Sequence, residues 1–298
     1  MSTDADRALV DTFIGHLLGE RRLSRHTAAA YRRDLEQLLL TSERPLGALA
    51  PADLRRSLAA AHGRGIEPRS LARRLSAWRG FFAWAQRRGH VDQDPTAGIR
   101  APKAARRLPQ TLSPDEASRL LDHQAESFDA ACDRALFELV YSSGLRLAET
   151  IGLDLADIDL IAAQARVTGK GSKTRDVPVG SAACAALRAW LARRVEHAAA
   201  DQTALFISRR GQRLGPRTVQ RRLARLGQQQ GLDRHVHPHM LRHAFASHLL
   251  QSSGDLRAVQ ELLGHASIAT TQIYAHLDFQ HLAKIYDQTH PRARRKLG

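Results

Sequence analysis

Cysteines and long apolar runs are both scarce in this chain of 298 residues. Cys132 and Cys184 are the only cysteines, they show no Cys-x-x-Cys spacing, and they lie in Ala- and Leu-rich surroundings. This usage excludes a disulfide-rich secreted scaffold and predicts two buried free thiols in a reducing cytoplasm. No apolar run approaches the ~20 residues that span a bilayer, and the acidic first residues do not predict a signal peptide.

Acidic residues are also in short supply, with 30 Asp and Glu against 45 Lys and Arg, and the net charge is +15. Residues 1–112 contain 20 basic and 11 acidic residues, and the remainder contains 25 and 19. The excess is therefore not a single basic tail. Polyanions are the expected partners, because counterion release drives nucleic-acid binding. A surface that is basic only for solubility is the alternative interpretation.

Helical periodicity dominates the first 92 residues, where apolar side chains recur at steps of three and four. The predicted helices span residues 5–20, 24–41, 51–62 and 67–89. The apolar stripe of the last helix consists of Leu71, Leu75, Trp78, Phe82 and Ala85. Arg69, Arg73 and Arg87 fall opposite, as either a solvated face or contacts to DNA phosphates. We favour a four-helix DNA-binding domain over residues 1–92.

A change of composition separates this region from the rest of the chain. Residues 93–112, with prolines and charges but no periodicity, predict an exposed linker. A second domain is predicted over residues 113–298, beginning with the capping-box motif Ser113-Pro114-Asp115-Glu116. Strand-like segments around a Gly-rich turn predict a hairpin over residues 164–179. The predicted fold is mainly α with a small β-sheet.

Arg146 is the first candidate for chemistry. It follows a predicted helix at 129–142 and the helix breaker Gly144. A guanidinium presents a planar fork of donors that matches two phosphate oxygens and keeps its charge. Glu149, three residues further on, is a helical neighbour that can hold the fork in place. By itself such a pair is usually an ordinary surface ion pair.

Lys170 lies at the tip of the predicted hairpin, between two glycines. An ammonium there can reach a groove and protonate a departing 5′ oxygen. Taken alone, a lysine in a turn is more often solvent-facing. Lys173 and Arg175 are interpreted as contacts to the DNA backbone and not as catalytic groups.

A histidine-rich segment holds the next candidates. His239 and Arg242 are three residues apart, so they share one helical face and can address one ligand. His243, His235 and His237 raise the possibility of a metal site. No Cys, Asp or Glu completes a first shell nearby, and the HExxH pattern is absent. Phosphate binding is the favoured interpretation.

Two candidates follow toward the C-terminus. His265 comes just before a helix predicted to begin near residue 267, and a helix N-terminus favours anions. Tyr274 lies nine residues later, and a phenolic oxygen can attack phosphorus. A lone tyrosine on an amphipathic helix is most often a core residue. The other candidate residues, and not the tyrosine by itself, therefore favour a catalytic role for Tyr274.

Taken together, these motifs resemble the full signature of the tyrosine site-specific recombinases. The matching motifs are Arg146 in Ser-Gly-Leu-Arg-Leu-Ala-Glu, Lys170 in Gly-Lys-Gly-Ser-Lys, His239-x-x-Arg242, Leu-Gly-His265 and Tyr274. Ser24-Arg-His-Thr27-x-x-x-Tyr31-x-x-Asp34 resembles the family's core-binding domain. The tail from Tyr274 to Ala293 resembles the branch that resolves bacterial chromosome dimers. The resemblance covers nearly the whole chain and shows no departure from the catalytic pattern.

The resemblance implies an N-terminal SAM-like core-binding domain and a mixed α/β catalytic domain. It also implies a reaction without ATP, metal or other cofactor, through a 3′-phosphotyrosine and a Holliday junction. The implied roles are Tyr274 as nucleophile, Lys170 as general acid, His239 as a proton-transfer group, and Arg146, Arg242 and His265 as stabilisers of phosphate charge.

The resemblance further implies partners. Strand exchange joins two duplexes and needs four active sites, so a tetramer on double-stranded DNA is expected. The branch acts at a dif-like recombination site during cell division, in a cyclic heterotetramer with an XerD-like recombinase under an FtsK-like DNA translocase. The predicted helix 278–288 is expected to dock on the neighbouring protomer, although folding back on its own domain is the alternative.

Three rival functions stay open at this point. Within the class, the chain is a sibling recombinase or a phage, transposon or integron integrase, although residues 1–20 are expected to be too short for an arm-binding domain. Outside the class, a non-catalytic architectural DNA-binding protein requires the loss of one of the six site residues. A metal-dependent nuclease is the third rival.

Overall fold

The computed structural model describes residues 4–102, 111–169 and 174–253. The chain divides into two compact units, Met1–Leu108 and Pro109–Gly298. Lys170, His265, Tyr274 and the predicted helix 278–288 lie outside the described residues. Within the described ranges, no helix is long and apolar enough to cross a membrane.

The first unit is helical, as predicted. Its elements are α1 (Asp4–Gly19), α2 (Arg25–Thr41), a 3-10 turn (Leu46–Ala48), α3 (Pro51–Gly63) and α4 (Pro68–Arg87). The predicted stripe of α4 is buried, and Phe81 packs edge-on against Phe13 of α1 with ring centroids 5.5 Å apart. Trp78 Nε1 donates to the Asp34 carbonyl at 3.2 Å, which fastens α4 to α2. Burial of this aromatic core therefore assembles the four helices.

The first half of the predicted linker packs on the first unit. Ile99 is buried in that unit's core, and Arg79 of α4 donates to its carbonyl. Asp94 Oδ1 accepts hydrogen bonds from the Thr96 N–H at 2.8 Å and hydroxyl at 2.6 Å, which closes a local turn. Composition alone predicts an exposed segment here, whereas Pro95, Thr96 and Ile99 are buried.

The other elements of the second unit pack around a central helix, α6. Its helices are α5 (Pro114–Leu121), α6 (Phe128–Ser143), α7 (Leu147–Gly152), α8 (Ser181–Arg194), α9 (Pro216–Gln229) and α10 (Pro238–Ser253). Twelve of the 16 residues of α6 are buried, including Cys132 and Glu138. Cys132 and Cys184 are both buried free thiols, as predicted. The capping box before α5 is also confirmed, because Ser113 and Glu116 exchange hydrogen bonds of 2.8 and 3.2 Å.

A small antiparallel sheet completes this unit. Its strands are β1 (Ile158–Asp159), β2 (Gln164–Thr168) and β3 (Thr174–Pro178), in the order β1-β2-β3. The predicted hairpin is confirmed in β2 and β3, and Val167 lies opposite Arg175 in its register. The two-residue β1 was not predicted from the sequence. Ser143 Oγ donates to the Pro178 carbonyl at 2.7 Å, which joins the end of α6 to the end of β3.

Candidate active site

The α6–α7 junction places Arg146. Gly144 ends α6 in the left-handed region with φ of 58°, a conformation that favours glycine. Arg146 is the N-cap of α7, and its backbone N–H donates to Glu149 Oε2 at 2.8 Å. Arg146 Nη1 also donates to Glu149 Oε1 at 3.0 Å. The predicted Arg–Glu contact therefore forms, and Glu149 holds both the backbone and the guanidinium of Arg146.

Arg175 is a second partner of Glu149. From β3, its Nη1 and Nη2 donate to Oε1 and Oε2 at 3.0 and 3.2 Å. The sequence interpretation treated Arg175 as a contact to the DNA backbone, whereas its fork lies against this carboxylate. The missed signal is strand alternation, because Arg175 shares its face with buried Val177.

The environment of Glu149 keeps its carboxylate charged. Burial raises the pKa, but hydrogen bonds from Arg175 and from the Arg146 backbone, together with both guanidinium charges, bring it below the usual range. Glu149 is therefore an anion at neutral pH. Together with Arg146 and Arg175 it forms a group of net charge +1, in which only Arg146 is substantially exposed, with 41% of its side chain accessible.

Arg242 of α10 also contacts the α6–α7 junction. It is 7% exposed, and its Nη1 donates to the Gly144 carbonyl. Burial, and then the positive charge of Arg146, lower its pKa to about 10. The guanidinium is still cationic at neutral pH. The backbone two residues before Arg146 is thus hydrogen-bonded to Arg242, which couples the two arginines.

His239 lies in the first turn of α10, three residues before Arg242. Burial lowers its pKa, and the positive charges of His243, Arg242 and Arg146 lower it further. The spacing of three residues puts His239 and Arg242 on one face of α10. A lowered pKa keeps His239 neutral at pH 7, so that one ring nitrogen is available to accept a proton.

The surrounding histidines influence one another. The ring of His237 lies 6.5 Å from that of His235 and 6.2 Å from that of His239, between centroids. Burial and these neighbouring imidazoles lower the pKa of His237. Across the parts of the chain that the structure describes, no three His, Cys, Asp or Glu side chains are grouped as metal ligands.

Arg146 and Arg242 therefore lie together at the end of α6, and His239 precedes Arg242 by one turn of α10. The two arginines supply fixed positive charge, and His239 supplies a neutral imidazole. Such a set can stabilise an anionic phosphate and move a proton. Lys170, His265 and Tyr274 lie outside the described residues and stay predictions.

In comparison with known protein families, both units match domains of phage integrases. Residues 110–281 match the model of the Phage integrase family. Residues 10–89 match the model of the Phage integrase, N-terminal SAM-like domain. The two matches together span most of the chain and fall on the two compact units.

Individual relatives cover the chain almost end to end. It is 55% identical to tyrosine recombinase XerC of Azotobacter vinelandii over 97% of this chain and 98% of the relative. It is 54% identical to tyrosine recombinase XerC of Pseudomonas aeruginosa over 97% of both. Among solved structures, XerH site-specific recombinase bound to palindromic difH substrate aligns with a TM-score of 0.70 and 25% identity, over 89% of this chain and 80% of that one.

Proposed function

Because the chain belongs to the phage integrase family and is a tyrosine recombinase of site-specific DNA recombination, we propose that it resolves chromosome dimers at a dif-like site during cell division. The high identity to recombinases named XerC supports this specific role. The XerH complex with a difH substrate supports a duplex recombination site as the substrate. On this proposal the protein acts in the cytoplasm, where the chromosome is.

The observation that carries the proposal is the fixed pair of arginines. Glu149 holds Arg146 by two hydrogen bonds, and the Gly144 carbonyl accepts one from Arg242. Donors that are already in place stabilise a charge that develops in the transition state without reorganisation. The charge that grows on the non-bridging oxygens of a phosphodiester under attack fits this arrangement.

We assign the chemical steps to the six residues as follows. Tyr274 attacks the phosphorus, its oxygen forms a 3′-phosphotyrosine, and the 5′ oxygen leaves with a proton from Lys170. His239 assists proton transfer at Tyr274 or the phosphate: it accepts the phenolic proton as Tyr274 attacks and returns it when Tyr274 leaves, while Arg146, Arg242 and His265 stabilise the phosphate charge. The 5′-hydroxyl of the partner duplex then attacks the phosphotyrosine and releases Tyr274. One ester replaces another at each step, so the exchange consumes no ATP.

The proposed assembly follows from the number of reacting strands. Two duplexes exchange four strands in two rounds through a Holliday junction, so four protomers are needed. We assign an XerD-like recombinase as the partner in a cyclic heterotetramer and an FtsK-like translocase as its activator. We assign the segment 278–288 to docking on the neighbouring protomer, which would couple one nucleophile to the next subunit.

Covalent capture tests this proposal. With a nicked dif-like suicide substrate and an XerD-like partner, the wild-type chain should form a protein–DNA adduct on a denaturing gel. Tyr274→Phe should bind the same DNA in a band shift and form no adduct, because it lacks the attacking oxygen.

A chelator serves as the control, since adduct formation in its presence excludes the metal-dependent nuclease. An adduct formed by Tyr274→Phe would rule out this nucleophile. Cleavage without any covalent intermediate would rule out the reaction class.

A further inference from the structure

We propose that Arg175 is a positioning residue for this reaction, which acts through Glu149 to hold Arg146 ready for the phosphate. The inference rests on the proposed function and adds a seventh residue to the site. Arg175 has no contact with the phosphate in this assignment. Its effect is to fix the geometry and the charge of the group that does.

The first support is the hydrogen bonding of the carboxylate. Oε1 of Glu149 accepts from Nη1 of Arg146 and from Nη1 of Arg175, both at 3.0 Å. Oε2 accepts from the Arg146 backbone at 2.8 Å and from Nη2 of Arg175 at 3.2 Å. Each oxygen thus has two donors, and a carboxylate with all four positions filled is fixed in orientation. Half of those donors come from Arg175.

The second support is the balance of charge. Only 5% of the Glu149 side chain is exposed, so its negative charge needs a partner within the protein. With Arg175 present, one guanidinium offsets Glu149 and the charge of Arg146 is left for the phosphate. Without Arg175, Arg146 would be the main counter-ion of a buried carboxylate. Its guanidinium would then be held toward Glu149 and offer less charge to the substrate.

The third support is the placement of Arg175 in the sheet. Its side chain is 23% exposed and faces the core side of β3. The next residue, Asp176, faces outward and pairs with Arg166 of β2 at 2.9 Å, where the Arg166 side chain is 66% exposed. The same hairpin therefore contains one arginine that contacts Glu149 and one that does not. Arg166 provides the matched control.

The test compares cleavage rates on three versions of the scissile linkage. The first is the natural phosphodiester, and the second is a methylphosphonate, which lacks one non-bridging charge. The third is a 5′-phosphorothiolate, whose sulfur leaves without a proton donor. Single-turnover cleavage is measured for the full-length wild type, Arg175→Gln, Arg175→Lys, Arg146→Ala and Arg166→Gln, each matched for folded fraction by circular dichroism.

We expect Arg175→Gln to cleave the phosphodiester about 10²-fold more slowly, because a small misplacement of a catalytic group has an effect of this order. The loss should shrink about tenfold on the methylphosphonate, as it should for Arg146→Ala, since less charge needs stabilising. It should persist on the phosphorothiolate. Arg175→Lys should lie between wild type and Arg175→Gln, and Arg166→Gln should match the wild type throughout.

Three outcomes would overturn the inference. An equal loss on all three linkages would indicate a general loss of structure. Relief only by the phosphorothiolate would mean that Arg175 acts on the leaving group, and wild-type rates for Arg175→Gln would mean that it has no role. If Arg175→Gln does not fold, the same pattern is required of Arg175→Lys. Failure of the wild type itself to cleave would count against the proposed function instead.

Discussion

Each unit buries one carboxylate between two arginines, and the two carboxylates respond in opposite ways. In the first unit, Asp34 of α2 accepts a hydrogen bond from Arg73 and lies 3.7 Å from Nε of Arg74. Burial outweighs these charges and raises its pKa. In the second unit, the partners of Glu149 outweigh burial, and its pKa is lowered. Similar residue types therefore shift the carboxyl pKa in opposite directions.

The difference lies in the hydrogen bonds and not in the number of charges. Glu149 has two donors on each oxygen, supplied by Arg146 and Arg175. Asp34 accepts a hydrogen bond from Arg73, whereas Nε of Arg74 lies 3.7 Å from Oδ1, beyond hydrogen-bond distance. Asp34 fastens α2 to α4 through Arg73 and the Trp78 indole. Glu149 must stay ionised, because it orients an arginine of the active site.

The largest expected effect is that of the paired substitutions Glu149→Gln and Asp34→Asn. Glu149→Gln leaves two arginines without their anion, and we expect cleavage of the suicide substrate to fall by about 10²–10³-fold, as for loss of an oxyanion contact. Asp34→Asn should cleave at the wild-type rate, since the contacts of Asp34 join α2 to α4 within the first unit. Quench-flow cleavage of matched folded protein measures both. Comparable losses in the two variants would remove the contrast between the units.

A smaller effect is expected at two left-handed glycines that end helices. Gly144 follows α6 with φ of 58°, and Gly89 follows α4 with φ of 73°. Alanine at either site should lower the free energy of unfolding by about 1 kcal/mol because of backbone strain. Only Gly144→Ala should also slow cleavage, since its carbonyl accepts from Arg242 and its chain leads into Arg146.

Urea titrations of both glycine variants, paired with single-turnover cleavage, separate these two effects. A slower reaction in Gly89→Ala, or an unaffected one in Gly144→Ala, would show that the junction does not position the site.

The smallest effect concerns acid stability. The lowered pKa of Glu149 stabilises the folded state above the ordinary carboxyl pKa, and this contribution is lost as pH falls through the folded pKa. The raised pKa of Asp34 acts in the opposite sense. Its contribution is full below the ordinary value and is lost as pH rises through the folded pKa.

Urea unfolding of wild type and the two carboxylate variants between pH 7 and pH 3 measures this directly. As pH falls through the folded pKa of Asp34, wild type should gain stability relative to Asp34→Asn. Relative to Glu149→Gln, it should lose stability as pH falls below the ordinary carboxyl pKa of 4.5. If the stability difference between wild type and each variant showed the same dependence on pH for Asp34→Asn and Glu149→Gln, the assigned pKa directions would be contradicted.

Local patterns predicted much of the fold. The spacing of apolar residues predicts the buried stripe of α4, and the residue types at the start of α5 predict the capping box at Ser113. Both are in the structure. Gly144 before Arg146 was recognised as a break, because glycine adopts the left-handed conformation that ends a helix. The contact between Arg146 and Glu149 followed from their spacing of three residues.

Contacts between residues far apart in the chain could not be predicted from local sequence patterns. Arg242 and the Gly144 carbonyl are 98 positions apart, and no side-chain pattern marks a backbone acceptor. The positive charge of Arg175 predicts a DNA contact, whereas its place on the buried face of β3 brings it to Glu149. The linker prediction likewise missed Ile99, since proline and charge dominated that segment. In each case the packing of other elements decided the partner.

One measurement tests the central claim most directly, that a tyrosine oxygen replaces a sugar oxygen at phosphorus within a set of fixed positive charges. The covalent complex trapped on a suicide substrate is digested, and the peptide that retains the nucleotide is identified by mass spectrometry. We expect a 3′-phosphate ester on Tyr274, formed by the wild type and strongly reduced in Arg146→Ala and Arg242→Ala. A nucleotide attached to another residue, or an adduct that forms at the wild-type rate without either arginine, would contradict it.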